Sequence, residues 1–207
     1  MNPTVFIVDD DADALDSLEC LLKSIGLDVK SYQSPSTFLD EYDSSRPGCI
    51  VLDVRMPELS GLELQLELNQ RGPSPPVIVI TGHGDVPVCA SAFRAGAFDF
   101  IEKPVNPQLL LGRIQRAIEH DLTRRRGLEH STEINSRITR LTPREREVME
   151  MIAAGQTLKQ VACALEISIQ TASKHRVRVL EKMEVATDVA LARLAMTVEP
   201  ASQPASV

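Results

Sequence analysis

Five short apolar runs, residues 4–8, 29–32, 49–52, 77–80 and 98–101, recur through the first half of the chain, and a segment of helical pattern follows each of them. Strand alternating with helix in this way is expected to build a doubly wound, five-stranded parallel sheet, because parallel neighbours are joined by crossovers that are usually helices. The first helical segment places Leu15, Leu18, Leu22 and Ile25 at helical spacing and Gly26 behind them as a C-terminal cap. One segment argues the other way. Leu62, Leu64, Leu66 and Leu68 alternate with polar residues, which is a strand period. Leu, Glu and Gln are nevertheless strong helix formers, and the alternating order requires a helix there, so a helix is expected.

Beyond residue 107 the pattern changes. Residues 107–137 form a long, charged, helix-favouring stretch with Leu110, Ile114, Ile118 and Leu122 at four-residue steps. It reads as the fifth helix of a first domain, residues 1–120, continuing into a helical linker, residues 121–138. Such a helix either packs on its own domain or forms a dimer stalk. Gly127 inside it costs about 1 kcal/mol against Ala and is a candidate break. Thr142-Pro143-Arg144-Glu145 then opens a four-helix unit over residues 139–198: Thr142 caps, Pro143 suits the first helical position and Glu145 completes a capping box. Gly155 ends this helix, Thr157 and Ser168 cap the next two, the second of them running to about Met183, and residues 188–196 supply a fourth. The tail, residues 199–207, is expected to be disordered.

Charge separates the halves. Residues 1–120 carry 18 Asp and Glu against 9 Lys and Arg, while residues 121–207 carry 11 against 13. The net charge of −7 therefore hides a back half that can approach a polyanion. No apolar run nears the roughly 18 to 20 residues of a membrane helix, and no membrane-spanning or secretion-directing segment is expected. Cys20, Cys49, Cys89 and Cys163 lie far apart with no C-x-x-C pair. Neither zinc ligation nor a disulfide framework is suggested, and the four are expected to be reduced core thiols in a cytoplasmic protein.

In a parallel sheet, functional groups collect at the carboxyl ends of the strands. There the first strand ends at Asp9 and Asp10, the third at Asp53 and the fourth at Thr81, and the fifth leads to Lys103 and Pro104. Three carboxylates in one crevice repel by roughly 1 to 4 kcal/mol per close pair, so a positive partner is expected among them. All-oxygen ligands select magnesium or a similar hard cation. Thr81 and Lys103 add a hydroxyl and an ammonium, which is what a phosphoryl group bonded to one carboxylate requires around its oxygens, so an aspartyl phosphate is inferred.

These residues stand in Val8-Asp9-Asp10-Asp11, in Leu52-Asp53-Val54-Arg55-Met56-Pro57 with Gly61, in Ile80-Thr81-Gly82-His83-Gly84-Asp85 and in Ile101-Glu102-Lys103-Pro104. The set resembles the receiver domain of two-component response regulators. The resemblance implies a flavodoxin-like fold and a phosphoryl group accepted on Asp53 from a sensor histidine kinase. It also implies Mg2+ held by Asp9, Asp10, Asp53 and the backbone carbonyl of Arg55, and phosphoryl oxygens bound by Thr81 and Lys103. Phe100 falls at the switch aromatic, and Lys103-Pro104 is a candidate cis bond. Each motif alone has an ordinary reading: an Asp pair after a strand caps a helix, a strand Phe fills the core, and Asp11 suits a first helical turn. His83 is assigned no chemistry.

At about 100° per residue, Ala172, Val179 and Met183 share the inward face of the third C-terminal helix, with His175 at its edge. Gln170, Lys174, Val177 and Glu181 lie opposite, flanked by Ser173 and Arg178. After the short turn at residues 165–168 this is a helix-turn-helix arrangement whose outer face can enter a major groove. Leu141-Thr142-Pro143-Arg144-Glu145-Arg146-Glu147-Val148, Gly155, Ile167-Ser168, Thr171, Lys174-His175-Arg176 and Glu181-Lys182-Met183 look like the DNA-binding domain of the LuxR/NarL type, and the whole chain resembles FixJ-type regulators. The sequence departs from the usual pattern at Thr157-Leu158-Lys159 and Thr171-Ala172-Ser173. Lys159, Lys174, Arg176 and Arg178 are candidate phosphate contacts; Gln170, Ser173 and Val177 are candidate base contacts, with Thr171 beside them.

The implied protein is a transcription factor that pairs into a homodimer when phosphorylated, binds double-stranded promoter DNA, has RNA polymerase as a further partner and does not engage a membrane. It is not an enzyme beyond slow self-dephosphorylation. The alternatives are a magnesium phosphohydrolase using Asp9-x-Asp11, and a receiver with an RNA- or protein-binding output domain.

Overall fold

The computed structural model describes residues 2–82 and 86–197, in two compact units, Met1–Arg125 and Arg126–Val207. The first unit alternates β1 (Thr4–Val8), α1 (Ala12–Ser24), β2 (Asp28–Tyr32), α2 (Pro35–Glu41), β3 (Gly48–Asp53), α3 (Gly61–Arg71), β4 (Val77–Thr81), α4 (Val86–Arg94) and β5 (Asp99–Glu102), and α5 (Pro107–Thr139) begins in it. The strands form one parallel sheet in the order β2-β1-β3-β4-β5. Successive strand residues point to opposite faces, and here both faces are covered. Phe6, Val8, Leu52 and Val79 join Phe38, Leu64, Leu68 and Ala92 from α2, α3 and α4. Val5, Ile7, Val51 and Ile80 join Leu15, Leu22, Leu110 and Ile114 from α1 and α5. Each such aliphatic or aromatic side chain contributes about 1.5 to 3 kcal/mol by leaving water.

The segment with alternating leucines is helical. Ser60 caps α3 and Glu63 closes the capping box. Gly61, Leu64, Gln65 and Leu68 turn inward, whereas Leu66 is half exposed. The leucines thus divide between faces, and the helical period carries the amide of Gln65 into the interior without a partner among the described residues. Gly26, at φ 81, follows the end of α1 as expected, but Ile25 is exposed, because the inward stripe of that helix ends at Leu22. Of the four cysteines only Cys49 is a core thiol. Cys20 and Cys163 are exposed, on the solvent sides of their helices, and Cys89 is intermediate; all four are free.

Helix α5 continues through Gly127 without a break. Asp121, in the stretch expected as linker, is fully buried. Its carboxylate accepts the Gly48 backbone N–H at 3.0 Å and pairs with Arg124 at 2.6 Å and Arg125 at 2.7 Å. Arg125 also donates to the carbonyls of Ser44, Ser45 and Arg46. Burial alone would raise the Asp121 carboxyl, but the two guanidiniums and the amide outweigh it and hold it below the usual range. The last turns of the first unit are thereby tied to the start of β3, the strand that carries Asp53.

The second unit contains α6 (Pro143–Ala153), α7 (Leu158–Ala164), α8 (Ile169–Lys182) and α9 (Asp188–Thr197) around Ile134, Val148, Ile152, Val161, Ala172, Val179, Met183 and Leu191. Thr142, Thr157 and Ser168 cap α6, α7 and α8. Leu180, absent from the expected inward face, joins the core. The tail 199–207 and the His83-Gly84-Asp85 part of the fourth motif lie outside the described residues.

Candidate functional site

The strand order reverses between β1 and β3, and a sheet of this kind opens a crevice at the carboxyl ends of such neighbours. Asp9 follows β1 and Asp53 ends β3; both side chains are buried. Lys103, on the loop after β5, places its Nζ 2.9 Å from Asp9 Oδ2 and 2.8 Å from Asp53 Oδ1. Its backbone N–H donates to the Thr81 carbonyl at 2.8 Å, which fastens this loop to the end of β4, and the Lys103–Pro104 peptide is cis. Thr81 itself is buried at that strand end. The second oxygen of Asp53 accepts the Arg55 N–H at 2.6 Å, and Asp9 Oδ1 accepts the Asp11 N–H at 3.0 Å. Gly61 is required beside this strand end: a Cβ there would lie 2.0 Å from the Asp53 carbonyl oxygen.

Burial pushes the Asp53 carboxyl above its ordinary value and the Asp9 charge adds to this, with Lys103 only partly offsetting them. Burial also opposes the Lys103 charge, but hydrogen bonds to Asp53 and Asp9 more than compensate and raise its ammonium above the ordinary lysine value. The site is an anionic pair held by one fixed cation, with one carboxylate disfavoured in its charged form.

Asp9, Asp53, Thr81 and Lys103 are therefore gathered at the same edge of the sheet. Asp10 is not drawn in: its side chain is exposed, and no three acidic, His or Cys residues form a metal-holding group among the described residues. Arg55 is exposed, with its backbone beside Asp53. Phe100 is half-buried against the core that contains Val79 and Ala92. Asp11 caps α1 by accepting the N–H groups of Asp13 and Ala14, so it is not poised as the acid of a strand-one phosphohydrolase. A cleft of about 420 Å³ opens between α1 and the β5–α5 loop, with Asp9 and Lys103 in its wall.

In the second unit, Lys159, Gln170, Lys174, Val177 and Arg178 are exposed, and Thr171 and Ser173 are half-buried. The Thr171 hydroxyl lies 2.9 Å from the Ser168 hydroxyl at the helix cap. Arg176, expected to face phosphate, is engaged within the unit: its Nε donates to both carboxylate oxygens of Asp188, at 2.8 and 3.0 Å, joining α8 to α9. His175 is half-buried. Ile169, the first residue of α8, is half exposed.

Comparison with known proteins adds to this geometry. The model of the response regulator receiver domain matches residues 5–115, and that of the bacterial regulatory proteins of the luxR family matches residues 139–195. The chain is 39% identical over 190 residues to the response regulator protein TodT of Pseudomonas putida, covering 92% of this chain and 84% of TodT. It is 40% identical over 193 residues to the transcriptional regulatory protein FixJ of Rhizobium meliloti, covering 93% and 95%. Among solved structures, the response regulator StyR aligns with a TM-score of 0.87 at 36% identity over 95% of this chain and 99% of that one. Full-length FixJ from B. japonicum aligns with a TM-score of 0.57 at 38% identity over 95% and 97%.

Proposed function

The chain belongs to the response regulators of the FixJ type, which join a receiver domain to a LuxR-type DNA-binding domain and regulate transcription under control of phosphorylation, and from that premise we propose that Asp53 is the residue phosphorylated, by a sensor histidine kinase. The supporting observation is the single ammonium of Lys103 held within 2.9 Å of both buried carboxylates. An oxygen of Asp53 attacks phosphorus, the P–N bond of the kinase phosphohistidine breaks, and the imidazole leaves. Lys103 and the Thr81 hydroxyl then bind the phosphoryl oxygens, since positioning and charge neutralisation carry most of this chemistry. Receiver domains generally bind Mg2+ at this acidic site. The donor set is oxygen alone, which suits that ion. Asp9, Asp53 and the Arg55 carbonyl would hold it, with the exposed side chain of the neighbouring Asp10 turning in to join them, and it would neutralise charge on the phosphoryl oxygens.

Phosphorylation adds negative charge at Asp53 and recruits Thr81 and Lys103. Because the Lys103 loop is hydrogen-bonded to the end of β4, the shift is transmitted to β4, to β5 with Phe100, and to the faces of α4 and α5. This biases the first domain, residues 1–120, toward a homodimer. The linker, residues 121–138, passes that state to residues 139–198. There α8 enters the major groove, with Lys159, Lys174 and Arg178 on phosphates and Gln170, Thr171, Ser173 and Val177 facing bases. Arg176 positions α8 through Asp188. The dimer binds two promoter half-sites in the cytoplasm and meets RNA polymerase there. Little turnover is expected of it beyond slow self-dephosphorylation.

A footprint on genomic fragments with and without a phosphoryl donor tests this. Protection that strengthens with the donor is expected, with log affinity falling against log salt by about 0.9 per phosphate neutralised. Protection indifferent to the donor, or binding that favours single-stranded RNA, contradicts it.

A further inference from the structure

We propose that α8 reads thymine through its 5-methyl group, using Ile169 and Val177 as two apolar contacts in each half-site. The inference rests on the reading of α8 as the groove-entering helix and names what that helix recognises. Ile169 and Val177 are 50% and 45% exposed, although the core beneath α8 is already filled by Ala172, Val179, Leu180 and Met183. Eight residues separate them, about 12 Å along the helix. Ile169 follows the Ser168 cap, whose Oγ accepts the Thr171 N–H at 3.1 Å. It therefore stands at the N-terminal end, where a recognition helix meets base edges.

The surroundings decide the occupant. Exposed Gln170, Lys174 and Arg178 share the helix with these two side chains, and exposed Lys159 stands on α7. A second copy of this surface would bring like charges together. A polyanion with apolar points in its groove fits instead, and the thymine methyl is the apolar group that base edges offer in the major groove of duplex DNA. Covering one methyl is worth about 0.8 kcal/mol, which is about fourfold in affinity.

The test uses the full chain, phosphoryl donor and a duplex selected from a random pool, with each thymine replaced in turn by deoxyuridine, which lacks only the methyl. Wild type is expected to lose about fourfold in affinity at two positions of each half-site. Ile169→Ala should abolish the sensitivity at one of them and Val177→Ala at the other. Val177→Thr, which keeps a methyl, should retain it. Unchanged hydrogen exchange in the α8 amides of the variants shows that they fold. If no deoxyuridine changes wild-type affinity, or if both alanine variants keep the wild-type pattern, the methyl reading is wrong while the DNA-binding reading stands. Recovery of no duplex at all overturns both.

Discussion

Asp53→Asn is expected to take up no phosphoryl group from a donor that labels the wild-type chain, and to lose the donor-dependent part of the footprint completely. An amide has no carboxylate oxygen to attack phosphorus, yet it keeps the size of the side chain and an oxygen able to accept the Arg55 N–H. The substitution should not unfold the receiver. Burial and the neighbouring Asp9 raise the Asp53 carboxyl above its ordinary 3.8, so the folded state holds its proton more tightly than the unfolded chain does. A raised carboxylate of this kind contributes stability at low pH that is lost as pH rises from the unfolded value through the folded one. Asn carries no such penalty at neutral pH, and its thermal midpoint should equal or exceed that of wild type. Incorporation at the wild-type level by Asp53→Asn would place the acceptor elsewhere.

Glu145→Gln is expected to destabilise the second unit by about 2 to 3 kcal/mol, less than the loss on breaking a wholly buried pair because Lys182 can reach water. Glu145 is 2% exposed. It accepts from Lys182 Nζ at 2.6 Å and from the Thr142 N–H at 2.9 Å, and Lys182 also donates to the Arg140 carbonyl at 3.1 Å. One carboxylate thus closes the start of α6 and pins the end of α8 to it. Lys182, and after it the Thr142 amide, hold the carboxyl down to about 2 from 4.5. Its folded value is depressed, so its contribution is complete above pH 4.5 and disappears as pH falls through about 2. Hydrogen exchange of the α6 and α8 amides reads both effects. The variant should exchange faster at neutral pH and show less of the wild-type acid dependence between those two values. Wild-type exchange in the variant would show that the pair adds no stability.

Much of this was legible in the residues themselves. The strand ends were readable to within a residue because each apolar run stops at a polar side chain that the sheet edge exposes to chemistry, as at Asp9, Asp53 and Thr81. Capping residues were equally plain, since Thr142, Thr157 and Ser168 act on neighbours a few positions away. The alternating leucines before Arg71 show how propensity and chain topology decide between two periods that both fit. What escaped depends on contacts distant in sequence. Asp121 stands in a run of charges that suggests a solvated linker; the arginines three and four residues later hint at pairing, but nothing local announces Gly48 as the third partner. Arg176 looks free to meet phosphate until α9 brings Asp188 beside it. Nothing in the letters around Ile169 announces that this apolar residue, the first of α8, stands half exposed. The position of Asp10, exposed while Asp9 is buried, follows from the turn after β1 and has no counterpart in the adjacent pair of letters.

The central claim is that the carboxylate pair bridged by Lys103 is a reversible holder of phosphate. It is tested most directly by incubating the full chain with a small acyl phosphate and magnesium, reducing any acyl phosphate with borohydride, and locating the modified residue by mass spectrometry. One modification per chain, on Asp53, is the expected result. Modification confined to Asp9 or Asp10, or steady hydrolysis of the donor with none of the chain modified, would contradict it.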